Sequence, residues 1–250
     1  MISTAQIRFL SSLKIKKYRQ KNNAFVGEGE KVASELLGSG MAILNVFAIS
    51  DWVEMNDNLL NGINDKVNEV TDKELKKASF LKTPNKVIVV AEIPKPEISK
   101  IHKEAFTIVL DNMSDPGNMG TIIRIADWFG INDIVCSSSC VDAYNPKVVQ
   151  GTMGSIARVN LHYTDLEAFF LKYKGIKVYG AIMQGRALQE YSSADPGFIL
   201  IGGESDGIDP GLDKFITDPV TIPGSGSAES LNAAVATGIV VHHLTMNKEQ

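Results

Sequence analysis

Cysteine is scarce in this 250-residue chain, with only Cys136 and Cys140 present. One CxxxC pair without clustered histidine excludes a disulfide framework and makes a poor metal site, so free thiols and no metal are expected. Long apolar runs are missing too. The longest, at 86–91 and 198–201, have strand length, far below the ~20 residues of a membrane helix. The N-terminus is basic but lacks the apolar core of a secretory leader, so a cytoplasmic protein with no membrane partner is expected. Nucleotide-phosphate loops are also absent. Gly202-Gly203 is followed by Glu204, Gly224-Ser225-Gly226 has no third spaced glycine, and neither run carries a phosphate-loop lysine. The loops are glycine-rich yet poorly suited to polyphosphate.

Hydrophobic residues make up 44% of the chain, enough for ordinary globular cores in one large or two modest domains. The net charge of −4 hides an asymmetry. Residues 1–104 hold 16 Lys/Arg against 13 Asp/Glu, whereas residues 105–250 hold 9 against 16. Positions 1–27 contain no acidic residue but carry Arg8, Lys14, Lys16, Lys17, Arg19 and Lys21, interleaved with Phe9, Leu10, Leu13, Ile15 and Tyr18. Such interleaving fits an ordered element that presents cations to phosphates, a plain exposed helix being the alternative. Arg8, Lys14, Lys16, Lys17, Arg19 and Lys147 are the candidate RNA contacts. The acidic second half would not hold nucleic acid alone. RNA would be held by the first domain, by a partner subunit, or by a local basic site at Arg124, Lys147 and Arg158.

The first half reads as mixed α/β. Helices are expected at 7–21, 28–39 and 72–78 (with Thr71 as cap), strands at 43–49 and 86–92, a turn at 25–30 and a loop at 56–64. Pro94, Pro96, Ser99 and Lys100 mark a linker. The expected partition is a small α/β domain over 1–95, a linker over 96–104 and a second domain over 105–250. The second domain alternates strands at 106–110, 133–136, 158–162, 177–182, 198–201 and 220–222 with helices at 119–129, 146–154, 166–173, 210–215 and 230–246. This alternation predicts an α/β fold: a mostly parallel sheet with helices on both faces.

Three segments carry the candidate chemistry. The first, Asp115-Pro116-Gly117-Asn118, opens a helix that continues to Arg124 and Phe129. At roughly 100° per residue, Asn118 and Arg124 could converge only if Asn118 sat at the helix cap. The bland reading makes Asn118 an N-cap and Arg124 a surface cation. The second segment is 199–208, with Gly202, Gly203 and Glu204; the third is 220–236, with Pro223, Gly224, Ser230 and Asn232. In isolation Glu204 is a surface carboxylate, Ser230 a cap and Asn232 a first-turn residue. His242 and His243 lack ligand partners and read as packing or dimer-surface residues.

With Asn145-Pro146-Lys147, the order and spacing of these segments resemble the SpoU (TrmH-type) family of RNA 2′-O-ribose methyltransferases, within the SPOUT superfamily, over about residues 105 to 246. Residues 1–95 are similar to the substrate-binding domain that many such enzymes carry. The resemblance implies a C-terminal trefoil knot, S-adenosylmethionine as cofactor, a homodimer, and an RNA substrate, ribosomal before transfer RNA. It implies a catalytic set of Asn118, Arg124, Glu204, Ser230 and Asn232. It also implies a cofactor pocket of Leu200, Ile201, Gly202, Gly203, Ile222, Pro223, Gly224, Ser230 and Leu231. The chain departs from the family pattern at Gly203, where asparagine is usual, and at Gly224, where a bulkier residue is usual; both changes are expected to loosen the loops. A guanidinium stays protonated near neutrality, so Arg124 is read as a phosphate ligand and alkoxide stabiliser, and the proton acceptor is left unassigned. Two competing readings are a non-catalytic RNA-binding or ribosome-assembly protein and a nucleotide-dependent enzyme.

Overall fold

The computed structural model describes residues 2–191, 194–204 and 206–246. In chain order its first elements are α1 (Thr4–Ser12), α2 (Lys16–Asn22), β1 (Ala24–Glu28), α3 (Glu30–Gly38), β2 (Ile43–Ala48), α4 (Ser50–Met55), α5 (Asp57–Leu60), β3 (Val67–Glu69), α6 (Asp72–Ala78) and β4 (Val87–Glu92). There follow β5 (Thr107–Leu110), α7 (Pro116–Trp128), β6 (Asp133–Ser137), α8 (Pro146–Thr152), β7 (Asn160–Thr164), α9 (Leu166–Lys172), β8 (Lys177–Ala187), β9 (Gly197–Ile201), β10 (Asp218–Thr221) and α10 (Ala233–Met246). They form two compact units, Met1–Lys95 with Asp142–Arg158, and Pro96–Val141 with Val159–Gln250. The excursion Asp142–Arg158, expected with the second half, thus packs with the first.

Unit 1 holds a four-stranded sheet in the order β1-β4-β2-β3, antiparallel except for the β2–β3 pair. Its core gathers Leu10, Leu13, Val26, Phe47, Leu75, Ile88 and Val90. A Ser3–Gln6 capping box starts α1, and Thr71 with Glu74 starts α6, as expected. The single helix predicted over 7–21 is instead two. Arg19 Nη1 takes the carbonyls of Leu13 and Lys14, both at 2.8 Å, so these acceptors need no helical partner where α1 ends. The turn predicted at 25–30 is largely strand β1, all five residues of which are buried. The loop predicted at 56–64 contains the short helix α5.

Unit 2 is built on six parallel strands in the order β10-β8-β9-β5-β6-β7. Val109, Val135, Phe198 and Leu200 pack with Phe169, Phe170 and Tyr173 of the α9 segment. By the strand period of two, the buried Ile108, Ile134, Ile199 and Ile201 face the opposite side. There α10 packs on α7, with Phe129 and His242 ring centroids 5.9 Å apart. The chain runs outward through β5, β6 and β7, then returns on the other side of β5 with β9. That reversal opens a crevice at the C-terminal ends of β5 and β9, where open α/β sheets bind ligands. The helix predicted at 210–215 is 3-10, and the last helix begins at Ala233 and not at 230.

Candidate active site

The loops that leave β5 and β9 meet in this crevice. Asp115 caps α7: its Oδ1 accepts from Asn118 N at 2.8 Å, and Pro116 fills the first helical position. Asn118 is therefore inside the first turn, contrary to its reading as the cap. Its backbone is satisfied, and its buried side chain is free for other partners. After β9, Gly203 and Gly207 form a narrow bridge. A Cβ on Gly203 would lie 2.5 Å from the Asn112 carbonyl oxygen, so the two loops touch through backbone and exclude a side chain. This close approach, at the position where departure from the family pattern leads one to expect a looser loop, leaves room for glycine alone. Gly224 has nothing within 4 Å of its Cβ position, so a larger side chain would meet open space there. Asp111, buried at the end of β5, accepts from Asp209 N at 2.9 Å and fastens the far side of the β9 loop.

Three side chains from three segments then close on one another. Asn118 Nδ2 donates to Glu204 Oε1 at 2.6 Å. Asn232 Nδ2 donates to Asn118 Oδ1 at 2.8 Å and to the same Glu204 oxygen at 2.9 Å. Asn232 Oδ1 accepts from Ala234 N at 3.0 Å and Val235 N at 3.2 Å, which makes Asn232 the cap of α10 and explains why that helix starts later than expected. The Glu204 carboxylate thus lies at the N-terminal ends of α7 and α10, where helix dipoles favour negative charge.

Comparisons with known proteins identify the family. The family model described as "SpoU rRNA Methylase family" matches residues 105–242, and one described as "MRM3-like substrate binding domain" matches residues 4–89. The chain belongs to the SpoU rRNA methylase family. It is 31% identical to the 23S rRNA (guanosine(2553)-2′-O)-methyltransferase RlmP of Bacillus subtilis, over 96% of this chain and 95% of that protein. It is 28% identical to the 23S rRNA (uridine(2479)-2′-O)-methyltransferase of Streptomyces viridochromogenes, over 64% of this chain and 59% of that protein. Among solved structures, an S-adenosylmethionine-bound rRNA methyltransferase from Sinorhizobium meliloti superposes with a TM-score of 0.90 at 26% identity, covering 100% of this chain and 98% of that one.

The other residues assigned from the SpoU resemblance are distributed unevenly. Arg124 lies on the exposed face of α7, with no ion pair or hydrogen bond among the described residues, and nothing joins it to the Asn118 cluster. Ser230 is exposed, two positions before the α10 cap. Leu200 is fully buried and Ile201 nearly so; both side chains belong to the core, leaving only backbone to offer a cofactor. Gly202 and Ile222 are half-buried, whereas Pro223, Gly224 and Leu231 are exposed. Such a set, with apolar side chains, accessible backbone and no cluster of cations, fits an uncharged adenosine and a methionine tail better than a phosphate chain. No group of residues suited to a metal occurs among the described residues, and no described helix is long and apolar enough to cross a membrane.

In unit 1, Arg8, Lys14, Lys16 and Lys17 are exposed, as an RNA contact requires. Arg19 is not: it is 2% exposed and its guanidinium is committed to Asp142, with Nε at 2.9 Å and Nη2 at 2.5 Å. Arg19 is a structural cation. Arg158 pairs with Glu35. Lys147, on α8, joins Lys14 at the rim of a cavity of about 660 Å³ that is also lined by Glu28 and Phe80. Sequence reasoning overlooked Glu28 and Phe80 because it took the first for part of a turn. It also overlooked Asp111, whose one signal was an acidic residue ending an apolar strand.

Proposed function

We propose that the chain is an S-adenosylmethionine-dependent methyltransferase that acts on a ribose 2′-hydroxyl of RNA, ribosomal RNA before transfer RNA. The observation that carries this reading is the Asn118–Glu204–Asn232 cluster in the crevice between β5 and β9. When bound, S-adenosylmethionine supplies an electrophilic methyl on a sulfonium. Leu200, Ile201, Gly202, Gly203, Ile222, Pro223, Gly224, Ser230 and Leu231 would hold it, the first four largely through backbone. The chain must aim one ribose oxygen and help a weakly acidic hydroxyl lose its proton. Asn118 is held by two partners yet keeps one N–H and one lone pair, suitable for orienting a ribose or phosphate. Arg124, exposed and permanently charged, is suited to grip the target phosphate and to stabilise developing oxyanion charge.

The reading includes a homodimer and, from the family fold, a trefoil knot in a cytoplasmic enzyme. The dimer draws support from apolar exposure on α7 and α10, where Trp128 is 85%, Val235 51% and Ile239 39% exposed. The deciding experiment is methylation of rRNA and tRNA by the purified chain with labelled cofactor, beside an Arg124→Ala variant. Wild-type transfer to ribose, and its loss in a variant that still binds S-adenosylmethionine by calorimetry, is expected. Full activity in the variant would remove Arg124 from the site.

A further inference from the structure

The groove in unit 1 has features that general attraction to RNA does not require. Its walls are mostly apolar (Val26, Phe80, Leu81, Pro146 and Met153), and Lys14 and Lys147 stand on its rim. Its size of about 660 Å³ falls within the range of small-molecule sites and is ample for one nucleotide. On its floor lies Glu28, only 5% exposed. Phe80 N donates to Glu28 Oε1 at 2.7 Å, and Ser79 Oγ donates to Oε2 at 2.5 Å. A carboxylate has about four acceptor positions, so roughly two are left on a residue that lines the groove. Burial dominates the shift of the Glu28 pKa upward, the sign of a carboxylate short of donors.

We infer that this groove holds one unpaired guanosine of the substrate RNA, its base against Phe80, its Watson–Crick edge on Glu28, and its phosphates on Lys14 and Lys147. The inference rests on the RNA-methyltransferase reading and concerns an anchoring nucleotide, distinct from the methylated ribose. Guanine presents two parallel donors, N1–H and the N2 amino group, to the two oxygens of one carboxylate. Adenine and cytosine present one amino group, and uracil one imide N–H. Splayed single-stranded bases are recognised by this combination of aromatic stacking and edge reading. Lys14 Nζ lies 4.7 Å from the Phe80 ring centroid in the free protein. An entering base takes its place on the ring and releases the ammonium to a phosphate, exchanging a weak exposed cation–π contact for a base stack and a charge pair. Lys14 also belongs to the exposed basic set on α1 and α2, so the groove continues the phosphate-attracting surface.

The test uses the full chain and fluorescein-labelled RNAs of nine nucleotides, UUUUGUUUU and the same strand with A, C or U at the centre, read by anisotropy. The guanosine strand should bind about tenfold tighter than the other three. Glu28→Gln should erase that preference, bringing the four strands to similar affinities. Lys147→Ala should weaken all four strands and flatten the salt dependence. Equal binding of the four strands by wild type, or an undiminished preference in Glu28→Gln, overturns the inference. Should Glu28→Gln not fold, Phe80→Leu takes its place, and undiminished binding of the guanosine strand there counts equally against it. Calorimetry with S-adenosylmethionine on the same samples separates the two readings. Cofactor binding without base preference sinks only the groove, and base preference without cofactor binding sinks only the methyltransferase.

Discussion

Asn232 donates its amide to Asn118 across 114 residues of chain, at 2.8 Å, while the carbonyl of the same side chain caps α10. One side chain therefore starts the last helix and holds the first turn of α7. The two functions separate by mutation. Asn232→Asp keeps the cap oxygen but removes the donor and sets a second carboxylate beside Glu204. Methyl transfer is expected to fall on the order of 100-fold through misplacement of Asn118, with little change in melting temperature. Asn232→Ala loses both functions and should additionally cost about 1 kcal/mol of stability. Parallel kinetics and thermal melts check this; an active Asp variant would show that the Asn118 contact does not matter.

The Arg19–Asp142 pair makes a prediction about stability alone. Its guanidinium is 2% exposed and the carboxylate side chain 14%. Removing one partner leaves the other buried without compensation, roughly 3–5 kcal/mol in comparable pairs. Arg19→Ala should melt far below wild type by circular dichroism. Arg8→Ala, which removes an exposed cation, should melt with wild type, and similar melts for both would contradict the structural assignment of Arg19.

Glu28 should tie stability to pH. Its folded pKa is raised above 4.5, mainly by burial. A raised pKa contributes stability in full below the unfolded value and loses it as pH climbs through the folded value. Glu28→Gln mimics the protonated form at every pH. The melting temperature of the variant minus that of wild type should accordingly grow more positive between pH 4 and pH 8. A difference that stays flat across that range would mean that Glu28 ionises as easily in the fold as in the unfolded chain.

In the proposed homodimer, Trp128, 85% exposed on α7, would sit at the subunit contact. Trp128→Glu should convert a dimer to a monomer in sedimentation velocity without altering the circular dichroism spectrum. A wild-type chain that sediments as a monomer at micromolar concentration would remove the dimer from the proposed function.

Much of unit 2 was legible because its signals are local. Apolar runs such as Thr107–Leu110 and Gly197–Ile201 are buried on both faces, and Asp115-Pro116 and Asp165 are helix starts that need only neighbouring backbone. Less of unit 1 was legible. Strand β1 was concealed by Gly27 and Glu28, residues typical of turns, and Glu28 is tolerated in a strand because Ser79 and Phe80 supply its donors from 51 and 52 residues away.

The sequence by itself determined the α/β class, since periodicity and turn chemistry act over a few residues, and the order of its three motifs carried the family resemblance that implies Asn118, Glu204 and Asn232. Only the tertiary structure decided that Arg19 is buried while Arg124 is exposed, that Asn118 sits inside its helix facing Glu204, and that Asp142–Arg158 packs with unit 1. Each of these depends on a partner far along the chain, 123 residues for Arg19 and 86 for Asn118. Whether a polar group is buried depends on what meets it in space, and that information is absent from its immediate neighbours in sequence.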